Sequence, residues 1–175
     1  VGMFYLDRKS SLDSSVARED LYLWRYIPSY KYKFREGRPE AKPGAFNIKR
    51  DDRGIPREPS ASLFELTSDP GCNEKNSIAV LVSLIRYKGF KNLADDDASG
   101  SLRIADMIEL SKDPKVFQLS KTNSEPAGSL AHWDLKYEAD DKTEIIQAAK
   151  SSLAHICRVY ISGGKALSHC AHTLL

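Results

Sequence analysis

Long apolar runs are missing from this chain, and so are paired cysteines and an excess of charge of either sign. A helix that crosses a bilayer needs roughly 20 consecutive apolar residues, and no stretch reaches that length. The cysteines Cys72, Cys157 and Cys170 are odd in number and widely spaced, which excludes a disulfide framework and a paired C-x-x-C zinc pattern. Residues 1–7 lack the basic region and apolar run of a secretory leader. A reducing, cytoplasmic setting without membrane contact is therefore expected. Basic side chains number 26 against 24 acidic ones, too even a balance to pull the chain toward nucleic acid or an anionic surface. No internal repeat is present.

What is there is an ordinary globular composition. The chain has 175 residues, 41% of them hydrophobic, enough to bury a core without covalent staples. One domain over residues 1–175 is expected, with a flexible polar start at 1–20 and a frayed end at 165–175.

Local patterns predict the elements. Residues 21–28 (LYLWRYIP) read as a strand stopped by proline. Tyr30, Tyr32 and Phe34 alternate with Lys31, Lys33 and Arg35, which predicts a second strand with one aromatic and one basic face. Residues 35–59 form a long charged loop with prolines at 39, 43, 56 and 59. A strand over 60–67, a turn over 68–71 and a buried helix over 73–88 follow, with Gly89 as its stop. Residues 95–100 (DDDASG) read as a solvated acidic turn, lacking the ligand spacing of a calcium loop. Ser101 then caps a short helix over 102–110. Residues 116–120 and 130–138 read as an antiparallel pair. Asp141 and Glu144 have the spacing of a capping box, and Ile146, Ala149, Leu153, Ile156 and Tyr160 continue a helix over 142–161. The fold class is α+β: a mainly antiparallel sheet with two or three packed helices.

The segment 131–138 is the richest in chemistry. On a strand, His132, Asp134, Lys136 and Glu138 share one face, and Trp133, Leu135 and Tyr137 the other. The polar face suits proton transfer or metal binding; it equally suits a solvated face with cross-strand ion pairs.

Asp134-Leu135-Lys136 resembles the [DE]-x-K motif of restriction-type nucleases. That resemblance implies Mg²⁺ held by carboxylates, Lys136 steadying charge on phosphate, and nucleic acid as partner. It also implies an acidic residue on the preceding strand, where this chain has only Asp113 just before it.

A second resemblance runs through the N-terminal half. The order Leu23-Trp24-Arg25-Tyr26, Gly44-Ala45-Phe46-Asn47, Gly54-Ile55-Pro56, a strand over 62–66 and an apolar helix is similar to RES-domain toxins, relatives of the ADP-ribosyltransferases. The resemblance implies an NAD-consuming transferase or glycohydrolase. Arg25 would face the cofactor and pair with phosphate, with Tyr26 and Asn47 beside it, while Ser60 and Ser62 would hold the ribose or the nicotinamide amide. The family's tyrosine falls near Phe64 and its glutamate among Leu81 and Val82, so Glu65 or Glu138 would have to substitute in space.

Lesser candidates are Cys72 ahead of a helix, with His132 as a base, and the tail ligands His169, Cys170 and His172, too crowded for a structural zinc site. No residue is assigned to a resident metal. A third class of function remains: a non-catalytic interaction protein, such as an antitoxin or immunity protein, meeting a partner through the 35–59 loop.

Overall fold

The computed structural model describes residues 21–57, 60–66, 96–112, 114–122 and 130–161. Among these, strands β1 (Tyr22–Ile27), β4 (Ala61–Leu66), β5 (Ala98–Arg103), β6 (Phe117–Lys121), β7 (Leu130–Tyr137) and β8 (Arg158–Ile161) form a six-stranded sheet in the order β6-β7-β4-β1-β5-β8. All its pairings are antiparallel. Strands β2 (Tyr32–Arg35) and β3 (Arg38–Ala41) make a separate hairpin. Helices α1 (Ile104–Leu110) and α2 (Glu144–Ile156) complete an α+β fold. Among the described residues no helix is long and apolar enough to cross a membrane.

Alternation sorts the side chains. Leu23 and Ile27 of β1, Leu63 of β4, Leu102 of β5, Leu119 of β6 and Leu135 of β7 belong to one buried cluster with Ile146, Ala149 and Leu153 of α2. Ala45 and Phe46, from a 3₁₀ turn at Pro43–Phe46, complete that layer. The opposite face carries Trp24, Phe64 and His132 in one row and Ser62, Asp134 and Ser120 in the next, because ladder partners share a face.

Strands β1, β4, β6 and β7 form where the apolar alternation predicts them. Trp133, Leu135 and Tyr137 are buried, while His132 and Asp134 are half-buried and Lys136 exposed, as the two-faced reading of that segment requires.

Elsewhere the structure corrects the pattern. Residues 29–31 are a 3₁₀ turn, and the strand begins only at Tyr32. The 35–59 segment is not one loop. Glu36 and Gly37 adopt positive φ, closing a two-residue hairpin into β3. Residues 98–103 are a strand rather than a turn and the start of a helix, so Ser101 lies in β5 and α1 starts at Ile104. Alanine, serine and glycine carry little strand propensity, but β5 is buried along nearly its whole length between β1 and β8.

The last helix is shorter than its apolar period. It ends at Ile156, and residues 158–161 pair with β5, where Val159 and Tyr160 take the extended conformation their shapes favour. Its N-cap is Thr143, without a side-chain cap hydrogen bond. Asp141 does not cap it because its carboxylate accepts from Arg50 and Lys150 instead. The expected helix over 73–88, the turn over 68–71, Cys72, Asp113, the tail ligands and the two chain ends lie outside the described residues.

Candidate functional site

The site grows from a split in the sheet. Strand β1 follows β5 over six paired residues but registers with β4 only at Trp24 and Phe64. Beyond that pair the two strands part. Arg25, Tyr26 and Pro28 on one side and Ser60, Ala61 and Ser62 on the other line a cavity of about 260 Å³. Its remaining walls are Tyr30, Lys31, Lys49 and Phe64.

Arg25 bridges the split. Its guanidinium donates to the carbonyl oxygens of Ala45, of Ser62 at 2.6 Å and of Asn47 at 3.4 Å. One side chain thereby satisfies carbonyls of the 3₁₀ turn, the segment after it and β4, groups that no ladder reaches. The planar fork also lies 6.0 Å from the ring centroid of Phe46. The arginine expected to face a ligand is thus also the cross-link that shapes the cavity.

Positive charge collects here. Lys31 is held below its ordinary pKa by burial first, then by the neighbouring charges of Arg25 and Lys150. Lys49 is exposed at the rim. Among the described lining residues there is no carboxylate. Tyr26 directs its hydroxyl away to Asp97, donating at 2.5 Å, and burial followed by this bond pushes its phenol well up. Asp97 also accepts from the backbone N–H of Ser29 at 3.2 Å, fixing the turn that carries Lys31.

Beside the cavity runs a row of polar groups. Ser60 Oγ donates to Asp134 Oδ1 at 2.8 Å. Ser62 Oγ lies 2.9 Å from His132 Nε2. His132 Nδ1 lies 2.7 Å from Thr122 Oγ1 and 3.8 Å from Asp134 Oδ1. The ring of Phe64 meets His132 edge-on at 5.4 Å.

Of the residues singled out from sequence, Arg25, Tyr26, Ser60 and Ser62 therefore meet at one cavity, and His132 and Asp134 touch its serines. Asn47 is not among its lining residues. Its carbonyl accepts from Arg25, and its side-chain Oδ1 accepts from the buried ammonium of Lys150 at 2.9 Å. Lys136 and Glu138 are exposed and are not among the lining residues. Glu65 faces the other side of β4, where it accepts from Trp133 Nε1 at 2.5 Å and from Lys121 at 3.3 Å. It has no place in the cavity.

The nuclease motif finds Asp134 bonded to Ser60, and β6 carries no acid. Among the described residues no three His, Cys, Asp or Glu side chains gather in a metal-binding group.

Sequence reasoning missed Lys31, Lys49, Tyr30 and Thr122 as members of the site. Lys31 carried a signal, the basic alternation, but the turn that aims it was not legible. Thr122 carried none: it reaches His132 only through the β6–β7 register. Searched against known protein families, curated proteins and solved structures, the chain matches none of them.

Proposed function

We propose that this chain is an NAD-directed transferase or glycohydrolase of the RES-domain, ADP-ribosyltransferase-like toxin type. The observation that carries the reading is the cavity between β1 and β4, lined by Arg25, Lys31 and Lys49 together with aromatic rings and serine hydroxyls. A dinucleotide joins flat rings through a pyrophosphate and two riboses, and each part has a counterpart here. The cations suit the pyrophosphate. Tyr26, Tyr30 and Phe64 suit a flat ring, and Ser60 and Ser62 suit ribose hydroxyls or the nicotinamide amide.

The cavity of about 260 Å³ falls just below the range of about 300–1,000 Å³ usual for ligand pockets. It takes one end of a dinucleotide, with the other over the exposed rim at Tyr30 and Lys49. Cleavage of the nicotinamide–ribose bond leaves positive charge on the sugar, which a carboxylate steadies. Neither Asp134 nor Glu138 lines the cavity, but Asp134 accepts from the lining residue Ser60 while Glu138 is exposed, so Asp134 is the nearer carboxylate for that role.

The test is direct. Protein incubated with NAD releases free nicotinamide, measured by chromatography, and Arg25→Ala abolishes the release. No nicotinamide from the wild-type chain, with protein and nucleic-acid acceptors also supplied, overturns the reading.

A further inference from the structure

The polar row beside the cavity links Ser62, His132 and Thr122 through the two imidazole nitrogens. Thr122 Oγ1 is 3.0 Å from the carbonyl oxygen of His132, an acceptor to which the hydroxyl can donate. The backbone N–H of Thr122 donates to the same carbonyl at 2.9 Å and holds the residue in place. With its proton on that carbonyl, the hydroxyl oxygen, 2.7 Å from His132 Nδ1, accepts from an Nδ1–H, the tautomer that the Asp134 carboxylate 3.8 Å away also favours. A neutral imidazole has one N–H. In that tautomer Nε2 is the basic nitrogen, and it faces Ser62 Oγ at 2.9 Å.

A serine hydroxyl donating to Nε2 of a histidine whose Nδ1–H is held by an acceptor is the arrangement that activates a serine nucleophile. Asp134 Oδ1, 3.8 Å from Nδ1, is too far for a hydrogen bond but close enough to favour the imidazolium that forms when the proton moves. Ser62 is among the residues that line the cavity.

We propose that Ser62 is a nucleophile, His132 its general base, and Thr122 the positioning residue that sets the imidazole tautomer. The identity of the electrophile rests on the dinucleotide reading above. On that reading Ser62 Oγ attacks C1′ of the nicotinamide ribose. The C1′–N bond breaks, nicotinamide leaves with the bonding electrons, and the hydroxyl proton passes to His132 Nε2. Water then attacks C1′, the C1′–Oγ bond breaks, and Oγ recovers the proton from His132. The proton lost by water passes through His132 to solvent. The sum is NAD and water giving nicotinamide, ADP-ribose and a proton.

The nucleophile is tested separately from the substrate. An alkyl fluorophosphonate forms a phosphorus–oxygen bond with an activated serine and expels fluoride. The folded chain takes up one such group on Ser62, read by peptide mass. Ser62→Ala takes up none. His132→Gln slows labelling by about 100-fold or more, the low end of what a general base contributes. Thr122→Val slows it as well, and Thr122→Ser restores it, a rescue that a purely structural role for the methyl group would not give. Should Ser62→Ala fail to fold, Ser62→Cys keeps a nucleophile that iodoacetamide reads, slowed again by His132→Gln. Nicotinamide release is followed on the same proteins. Labelling of Ser62 without any release keeps the nucleophile and overturns the dinucleotide reading. Release undiminished in Ser62→Ala, with no labelling of Ser62 in the folded wild type, overturns the nucleophile and leaves the dinucleotide reading standing.

Discussion

The ammonium of Lys150, 1% exposed within α2, lies 3.1 Å from the carboxylate of Asp141, itself 3% exposed. Lys150 also donates to the Asp141 carbonyl at 2.8 Å and to Asn47 at 2.9 Å, and Arg50 caps the carboxylate from the other side. This buried group ties α2 and the residues just before it to the segment that follows the 3₁₀ turn.

Its acid dependence follows from the sign of the Asp141 shift. Burial by itself pushes that carboxyl up, but hydrogen bonds from Arg50 and Lys150 outweigh it and hold the group below the ordinary aspartate value. The folded pKa is thus lower than the unfolded one, near about 3.9. The stabilisation is complete above that pH and is lost as pH falls through the folded value. Asp141→Asn destabilises the chain at about pH 7, and the gap to wild type narrows as pH falls below the unfolded value and through the lower folded one. Urea midpoints across that pH range check this; a gap of constant size would refute it. Lys150→Met leaves Asp141 paired with Arg50 but removes the charged donor to Asn47 and to the Asp141 carbonyl, at a cost of about 1.5–3 kcal/mol that the same urea titration measures.

Gly100 has no room for a side chain. A Cβ there would stand 2.5 Å from Cys157 Sγ and 2.6 Å from Ile27 Cδ1. Gly100→Ala is expected to cost about 1–3 kcal/mol through overpacking. Adding Cys157→Ala removes one of the two clashes and recovers part of the loss, which chemical denaturation of the single and double variants measures.

Arg25→Lys separates the cross-link from the charge. Lysine keeps the positive charge but cannot span the carbonyls of Ala45, Ser62 and Asn47 with a planar fork. Stability falls by about 1.5–3 kcal/mol, the worth of hydrogen bonds from a charged donor. An unchanged melting temperature would mean that the guanidinium does not hold the split.

Glu65, 8% exposed, is a second buried acid with a structural task, accepting from Trp133 and Lys121. Glu65→Leu removes that acceptor from the indole N–H at a cost of about 1–3 kcal/mol, whereas Glu65→Gln keeps one and costs less. Equal melting temperatures for the two variants would show that the indole bond is not what matters.

The elements legible in the sequence are those whose partners are mostly solvent on one face and core on the other. In β7 the alternation of Trp133, Leu135 and Tyr137 with His132, Asp134 and Lys136 states both the strand and its two sides. β5 was not legible, because its residues are small and polar and owe their conformation to flanking strands. The end of α2 was not legible either: the apolar period continues through Tyr160, but pairing of Ser99 with Tyr160 and Gly100 with Val159 wins.

The candidate site divides in the same way. Local alternation singled out His132 and Asp134, whereas Arg25, Ser60 and Ser62 were singled out only by the resemblance of the N-terminal half to RES-domain toxins. Which of them meet was decided by tertiary structure. The parting of β1 from β4 opens the cavity, and the β4–β7 register sets Phe64 against His132 and Ser62 against Asp134. The β6–β7 pairing brings Thr122 to the imidazole, and the cross-strand face of Ser62 turns a hydroxyl on one strand toward an imidazole on another. Register is a long-range property, fixed by how whole strands bury their apolar sides. A hydrogen bond between residues 70 positions apart is therefore invisible until the sheet is assembled.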